Sequence, residues 1–249
     1  MEQKFPKITM LLAAIILAGG ITGGLWLHAW QNGKSRADNT ITVTGSAKIK
    51  VTSDLAKWAA GFTRQASLED IKAKLELANS DTAQIREFIK SYGIEDASIT
   101  FLPIQTEAMY NYNQGGEKFS QMLTGYNIKQ EVRVENSDIG KVEFLAQEAK
   151  KLIDKGIVPE YQRTEYFYTK LAELRPTLFA EATKDAQEKA TAIGQVTGST
   201  IGKVNTARTG VIQIMQPNSV DISDYGQYDL STKEKEVSAT VSASFELLP

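Results

Sequence analysis

The segment Ile8–Trp30, ITMLLAAIILAGGITGGLWLHAW, constrains this chain more than any other stretch, because its 23 residues include no Asp, Glu, Lys or Arg. A helix rises 1.5 Å per residue, so a run of this length spans a hydrocarbon core of roughly 30 Å. Trp26 and Trp30 stand near its C-terminal end, where indole rings favour the headgroup boundary, and Lys4 and Lys7 precede it. The reading is one N-terminal transmembrane helix that anchors the chain. A cleaved signal peptide is the competing reading, with cleavage near Ala29. The run is longer than a usual signal core, and no clear A-x-A site follows, so the anchor is preferred. Lys34 and Arg36 on the far side leave the charge asymmetry small. The short leading segment and the large body that follows place the N-terminus inside. Gly19, Gly20, Gly23 and Gly24 form two overlapping G-x-x-x-G pairs, a spacing that lets two membrane helices approach closely.

Residues 1–38 are therefore read as anchor and polar linker, and residues 39–249 as one folded body. The body opens on Ile41–Phe62, ITVTGSAKIKVTSDLAKWAAGF. Ile41, Val43, Ala47, Ile49 and Val51 alternate with Thr42, Thr44, Ser46, Lys48 and Lys50, which predicts a strand with one dry and one wet face. A turn at Thr52-Ser53-Asp54 leads to a second strand over Leu55–Gln65. Ser67 is expected to start a long helix, with Asp70 as an imperfect capping box and Ile71, Leu75, Ala78, Ile85 and Ile89 on its apolar face. Gly93 is its expected C-cap.

Ala97–Met109, interrupted at Pro103, and Met122–Val134 read as strands around the polar, aromatic tip YNYNQGGEKFSQ. A second helix is expected from Asp138 to Lys155, with Val142, Leu145, Ala149, Leu152 and Ile153 inward and Gly156 at its end. Gly156-Ile157 echoes Gly93-Ile94, a thin hint of a repeated unit. Tyr161–Thr169 is a further strand. A third helix over Leu171–Val196 carries the stripe Leu174, Leu178, Ala182, Ala186, Ala190 and Ile193, with Pro176 near its first turn and Gly198 as C-cap. Ile201–Met215 is extended, Gln216–Glu236 is a long polar loop, and Val237–Leu247 alternates like the opening strand. The first and last strands are expected in one sheet. Long helices interspersed with hairpins make the fold class α+β, a mixed sheet with three long helices behind the transmembrane helix.

Composition removes several chemistries. There is no cysteine, and the one histidine, His28, lies in the apolar run. The body therefore lacks thiolate or imidazole groups for a metal site, a Ser-His triad or a cysteine nucleophile. The 28 basic and 30 acidic residues are mixed along the chain, so nothing tracks a nucleic-acid backbone. GSTIGK at Gly198–Lys203 has one residue too few between its glycines for a phosphate loop, and Val204 follows its lysine. Asp221, Asp224 and Asp229 crowd one loop without the spacing of a calcium-binding hand, and a solvated loop is the preferred reading. No catalytic, cofactor-binding or metal-ligating residue is assigned. Tyr110, Tyr112, Tyr225 and Tyr228 lie on the polar loops and are the candidate protein-contact residues, since tyrosine offers contact area at low entropy cost.

The body resembles the SIMPL-domain family of bacterial envelope proteins. The matching residues are the opening V-x-G strand and its Asp turn, Gly93-Ile94, and Gly125, Tyr126, Val132 and Val134. They continue with Asp185, Ala186, Lys189 and Ala190 of a D-A-x-x-K-A helix, then Gly198 to Val204 and the alternating last strand. The resemblance covers Asn39–Leu248 and implies an exported, envelope-associated, oligomer-forming protein without agreed catalytic residues. The expected function is a membrane-anchored, self-associating, non-enzymatic protein with a structural or stress-protective role. Its expected place is the inner membrane, single pass, with the body in the periplasm, or free periplasm if a signal is cleaved. A carboxylate-based hydrolase or sugar-binding protein is the alternative. No cofactor is expected.

Overall fold

The structure, a computed structural model, describes residues 39–113, 120–219 and 226–249. The anchor segment, its four glycines, Asp221, Asp224, Tyr225 and the hairpin tip at 114–119 lie outside the described residues. Among the described residues, no helix is long and apolar enough to cross a membrane.

The strands are β1 (Thr40–Thr52), β2 (Leu55–Ser67), β3 (Ile99–Phe101), β4 (Gln105–Asn113), β5 (Ser120–Asn136), β6 (Pro159–Phe167), β7 (Thr200–Thr209), β8 (Gln213–Met215) and β9 (Glu234–Leu248). The α-helices are α1 (Ile71–Ser91), α2 (Ile139–Glu148) and α3 (Leu171–Thr197). The class is α+β as expected, with two sheets. One runs β1-β9-β7 with β8 paired to β9; the other runs β3-β5-β2-β6 with β4 paired to β5. The first and last strands are neighbours in one sheet, because their period-2 apolar faces cover the same core.

The chain forms two compact units. In the larger, Lys48–Arg175 with Ile212–Val237, β2 pairs antiparallel with β5 over Ala56–Ser67 and with β6 over Leu55–Phe62. Trp58, Ala60, Val132 and Val134 face α1 and α2, whose Ile85, Ile89 and Leu145, with Leu152 just beyond the end of α2, complete a fully buried core. Gly93 and Gly156 both adopt left-handed conformations, φ 73° and 74°, and each is followed by a buried isoleucine, Ile94 or Ile157. The repeated Gly-Ile is thus one device used twice: an αL stop that turns the chain back into the core. Arg64 and Asp81 form a two-bond ion pair, at 2.7 and 3.0 Å, between β2 and α1. In the smaller unit, residues 39–47, 176–211 and 238–249, Ala186, Ala190, Ala243 and Phe245 form the core with Ile41, Val43 and Ile201 against it.

Several sequence expectations are corrected. The first helix starts at Ile71, not Ser67. Ser67 ends β2, yet the expected capping box forms ahead of the helix: the Asp70 carboxylate accepts the Ser67 N–H and Oγ–H at 2.6 and 2.8 Å, and Ser67 Oγ accepts the Asp70 N–H at 3.2 Å. The second helix is α-helical only to Glu148 and continues as a 3₁₀ helix over Ala149–Lys155. Three residues per turn keep Ala149 and Leu152 inward and rotate Ile153 outward, 52% exposed. In α3 the buried stripe runs Leu178, Ala182, Ala186, Ala190 and Gly194, a four-residue step that leaves Ile193 on the surface. Pro176 falls in the second turn, where it offers no amide hydrogen to the carbonyl four residues earlier. The extended segment after Gly198 breaks between β7 and β8, and β9 begins three residues earlier than expected, at Glu234.

Candidate functional site

On the five-stranded sheet, the face opposite the helices carries a polar trough. Its floor is β2, which contributes only Ala59 and Gly61 there. Ala59 stands in register with Arg133 on β5 and Arg163 on β6; Gly61 stands between Glu131 and Tyr161. The glycine is required, because a Cβ at position 61 would lie 2.3 Å from the Tyr161 ring. Tyr161 therefore lies over the strand backbone and donates its hydroxyl to Glu131 Oε2 at 2.7 Å, while Arg133 Nε donates to Oε1 at 2.6 Å. A cavity of about 170 Å³ opens here, with Gln105, Lys129, Glu131, Glu160 and Tyr161 on its walls. Lys129 is itself paired with Glu107 at 2.5 Å.

The Tyr161 hydroxyl and the Arg133 guanidinium hold the Glu131 carboxyl below its usual range. Burial, and then the bond to Glu131, push the Tyr161 phenol up. Glu131 is thus ionised and Tyr161 protonated at neutral pH. A carboxylate held in that state cannot serve as a proton donor, and the cavity is smaller than ordinary small-molecule sites.

The tyrosines named from sequence separate. Tyr110 lies on β4 opposite Leu123, with its side chain exposed; the Tyr112 side chain and Tyr225 fall outside what is described. Tyr228 packs against Phe167 at 6.2 Å between ring centroids. Its hydroxyl accepts the Tyr168 N–H at 3.0 Å and donates to the Tyr168 carbonyl at 3.3 Å, so it ties the loop to the end of β6. Asp229 is equally committed: it accepts from the N–H and hydroxyl of both Ser231 and Thr232. Burial works to raise its pKa, but those bonds together with nearby Lys235 push it far below the carboxylate range. Among the described residues, no three potential metal ligands gather.

Lys235 is fully buried, a site the sequence reading missed inside a presumed loop. Its Nζ donates to the Asp229 carbonyl at 2.5 Å and the Thr232 carbonyl at 2.8 Å, and lies 5.8 Å from the Tyr228 ring centre. Burial lowers its pKa against the raising pull of Asp229. The signal was present: the alternation of β9, extended back two residues from Val237, points position 235 inward.

Two of the motifs recognised in the sequence meet in the smaller unit. Gly45 of the opening strand lies against the α3 backbone, where a Cβ would stand 2.0 Å from the Ala182 carbonyl and 2.4 Å from the Ala186 nitrogen. Beside it, Asp185 accepts the Ser46 N–H at 2.7 Å, and Lys189 donates to the Thr44 carbonyl at 3.2 Å and to Asp185 at 2.7 Å. The D-A-x-x-K-A helix thus satisfies backbone groups of β1 with side chains. An edge treated this way cannot add a foreign strand there.

A family model described as SIMPL, protein of unknown function (DUF541), matches residues 41–245. No curated protein matches the chain.

Proposed function

The chain belongs to the SIMPL family, and on that premise we propose that it is a membrane-anchored, envelope-facing member that self-associates and acts without catalysis, in a structural or stress-protective role. The anchor is Ile8–Trp30, in the inner membrane, with the body on the periplasmic side. One observation carries the self-association. β2 pairs with β5 no further than Gly125, yet β4 and β5 continue as a pair from Tyr110–Leu123 to Asn113–Ser120. A two-stranded ribbon with no third strand is marginal in water. This one exposes Met122, 60% accessible, and Tyr110. The partner that suits it is a second copy of the chain.

The alternative, a carboxylate-based hydrolase or sugar-binding protein, draws on Glu131 and Glu160 lining one cavity. Such a hydrolase needs one carboxyl protonated near neutral pH, and Glu131 is shifted the opposite way. Crosslinking in intact membranes followed by mass analysis tests the proposal. Species at multiples of 27.4 kDa are expected, and the double variant Tyr110→Ser, Met122→Ser should lose them. A ladder containing a different protein, or monomer alone, overturns it.

A further inference from the structure

The termini of four elements in the smaller unit gather at one end. β1 begins there, β9 ends there, β7 begins there and α3 ends there. The Asn39 carbonyl accepts the Leu247 N–H at 2.8 Å, Thr200 pairs with Leu248, and Ser199 N–H bonds the Gly194 carbonyl at 2.8 Å. This end has two unusual properties. It is poor in charge: residues 39–47 and 190–202 contain no Asp, Glu, Lys or Arg, in a chain that is 23% charged, and the end of β9 adds one exposed carboxylate, Glu246, beside Gly202. It also displays apolar side chains. Val196 is 90% exposed, Ile193 one helical turn earlier is 45% exposed, and Leu248 is exposed as well. The last turn of α3 carries no basic residue, although cations are the usual complement to a helix C-terminus.

The chain enters the unit at this same end. Only residues 31–38 separate Trp30, the last residue of the apolar run, from Asn39. Eight residues reach at most about 29 Å when fully extended, so an embedded run holds this end close to the bilayer. A short tether raises the effective concentration of a surface at its target to roughly the millimolar range. A few apolar side chains on a rim this poor in charge then suffice for contact, since little charge is desolvated as they approach.

We propose that this charge-poor end rests on the lipid bilayer, with Val196 and Ile193 seated at the boundary between headgroups and acyl chains and Glu246 left among the headgroups. The inference rests on the reading of Ile8–Trp30 as a membrane span and adds a second membrane contact made by the folded body. It fixes the orientation of the smaller unit relative to the membrane: α3 stands with its C-terminus down.

The chain has no cysteine, so single cysteines can be spin-labelled in the full-length protein. Substitutions Ala14→Cys, Lys184→Cys, Ile193→Cys and Val196→Cys would be reconstituted separately in vesicles of phosphatidylethanolamine and phosphatidylglycerol. Collision of each label with oxygen and with a water-soluble nickel chelate is then compared. Lys184 is the aqueous control, twelve residues from Val196 and so about 18 Å up the helix. Labels at 14, 193 and 196 should favour oxygen, and the label at 184 should favour nickel. Circular dichroism of each variant checks that the exposed substitutions leave the fold intact. If label 14 favours oxygen while 193 and 196 behave like 184, the anchor reading stands and the surface contact is overturned. If label 14 also favours nickel, both fall. Shielding of 193 and 196 from both reagents reports burial against protein and likewise overturns the contact. Val196→Asp should move the label at 193 toward nickel and leave the label at 14 unchanged.

Discussion

Gly45 shows how one residue can hold an element in place. The α3 backbone lies where its side chain would be, so Gly45→Ala forces β1 and α3 apart. Overpacking a core position costs about 1–3 kcal/mol, and a clash with backbone, which cannot change rotamer, belongs at the upper end. A urea titration should show the loss as a lower midpoint with an unchanged slope. Beside it, Lys189 and then the Ser46 amide lower the Asp185 pKa. A depressed carboxyl stabilises the fold above its unfolded pKa of about 4, and that contribution fades as pH falls through the folded value. The stability difference between wild type and Asp185→Asn should be constant near neutrality and shrink to nothing in acid. A difference that persists below the folded pKa would show that the carboxylate's charge is not what matters.

At the scale of elements, the α2 continuation offers a sharp test of helix type. Leu152 and Ile153 are adjacent aliphatic residues, and α-helical phasing would put both on the inner face. In the 3₁₀ segment only Leu152 is buried. Leu152→Ala should cost about 2–5 kcal/mol, whereas Ile153→Ala should stay within about 0.5 kcal/mol, both read from chemical denaturation. Equal losses would mean that the α-helix continues. Elements with a clear period were legible in the sequence: the alternation of β1 and β9, the stripe of α1, and the glycine stops at 93, 156 and 198. The errors fell where local signals competed. Ser67 and Asp70 do bond each other as a capping box, but pairing with Gly125 extends β2 through Ser67, so the helix itself starts only at Ile71.

For the whole molecule, the proposal separates anchoring from folding. β1 begins at Thr40 and its first pairing contact is at Asn39, so a protein lacking residues 1–38 keeps every described strand and helix. Its far-ultraviolet circular dichroism should differ from that of the full chain in detergent only by the loss of one 23-residue helix, and it should leave the membrane fraction. Sedimentation of the truncated protein with membranes would assign the attachment to the body instead.

By itself the sequence determined the element types, the α+β class and the family, because apolar period and glycine position act locally along the chain. The candidate site was much less legible. Glu131 and Tyr161 are thirty residues apart, and only the registers of β5 and β6 on Gly61 bring them together. Lys235 and Asp229 looked like solvated loop residues until burial made their bonds obligatory. Tertiary structure alone decided these points, because hydrogen bonding between distant strands and the removal of water are properties of the packed chain.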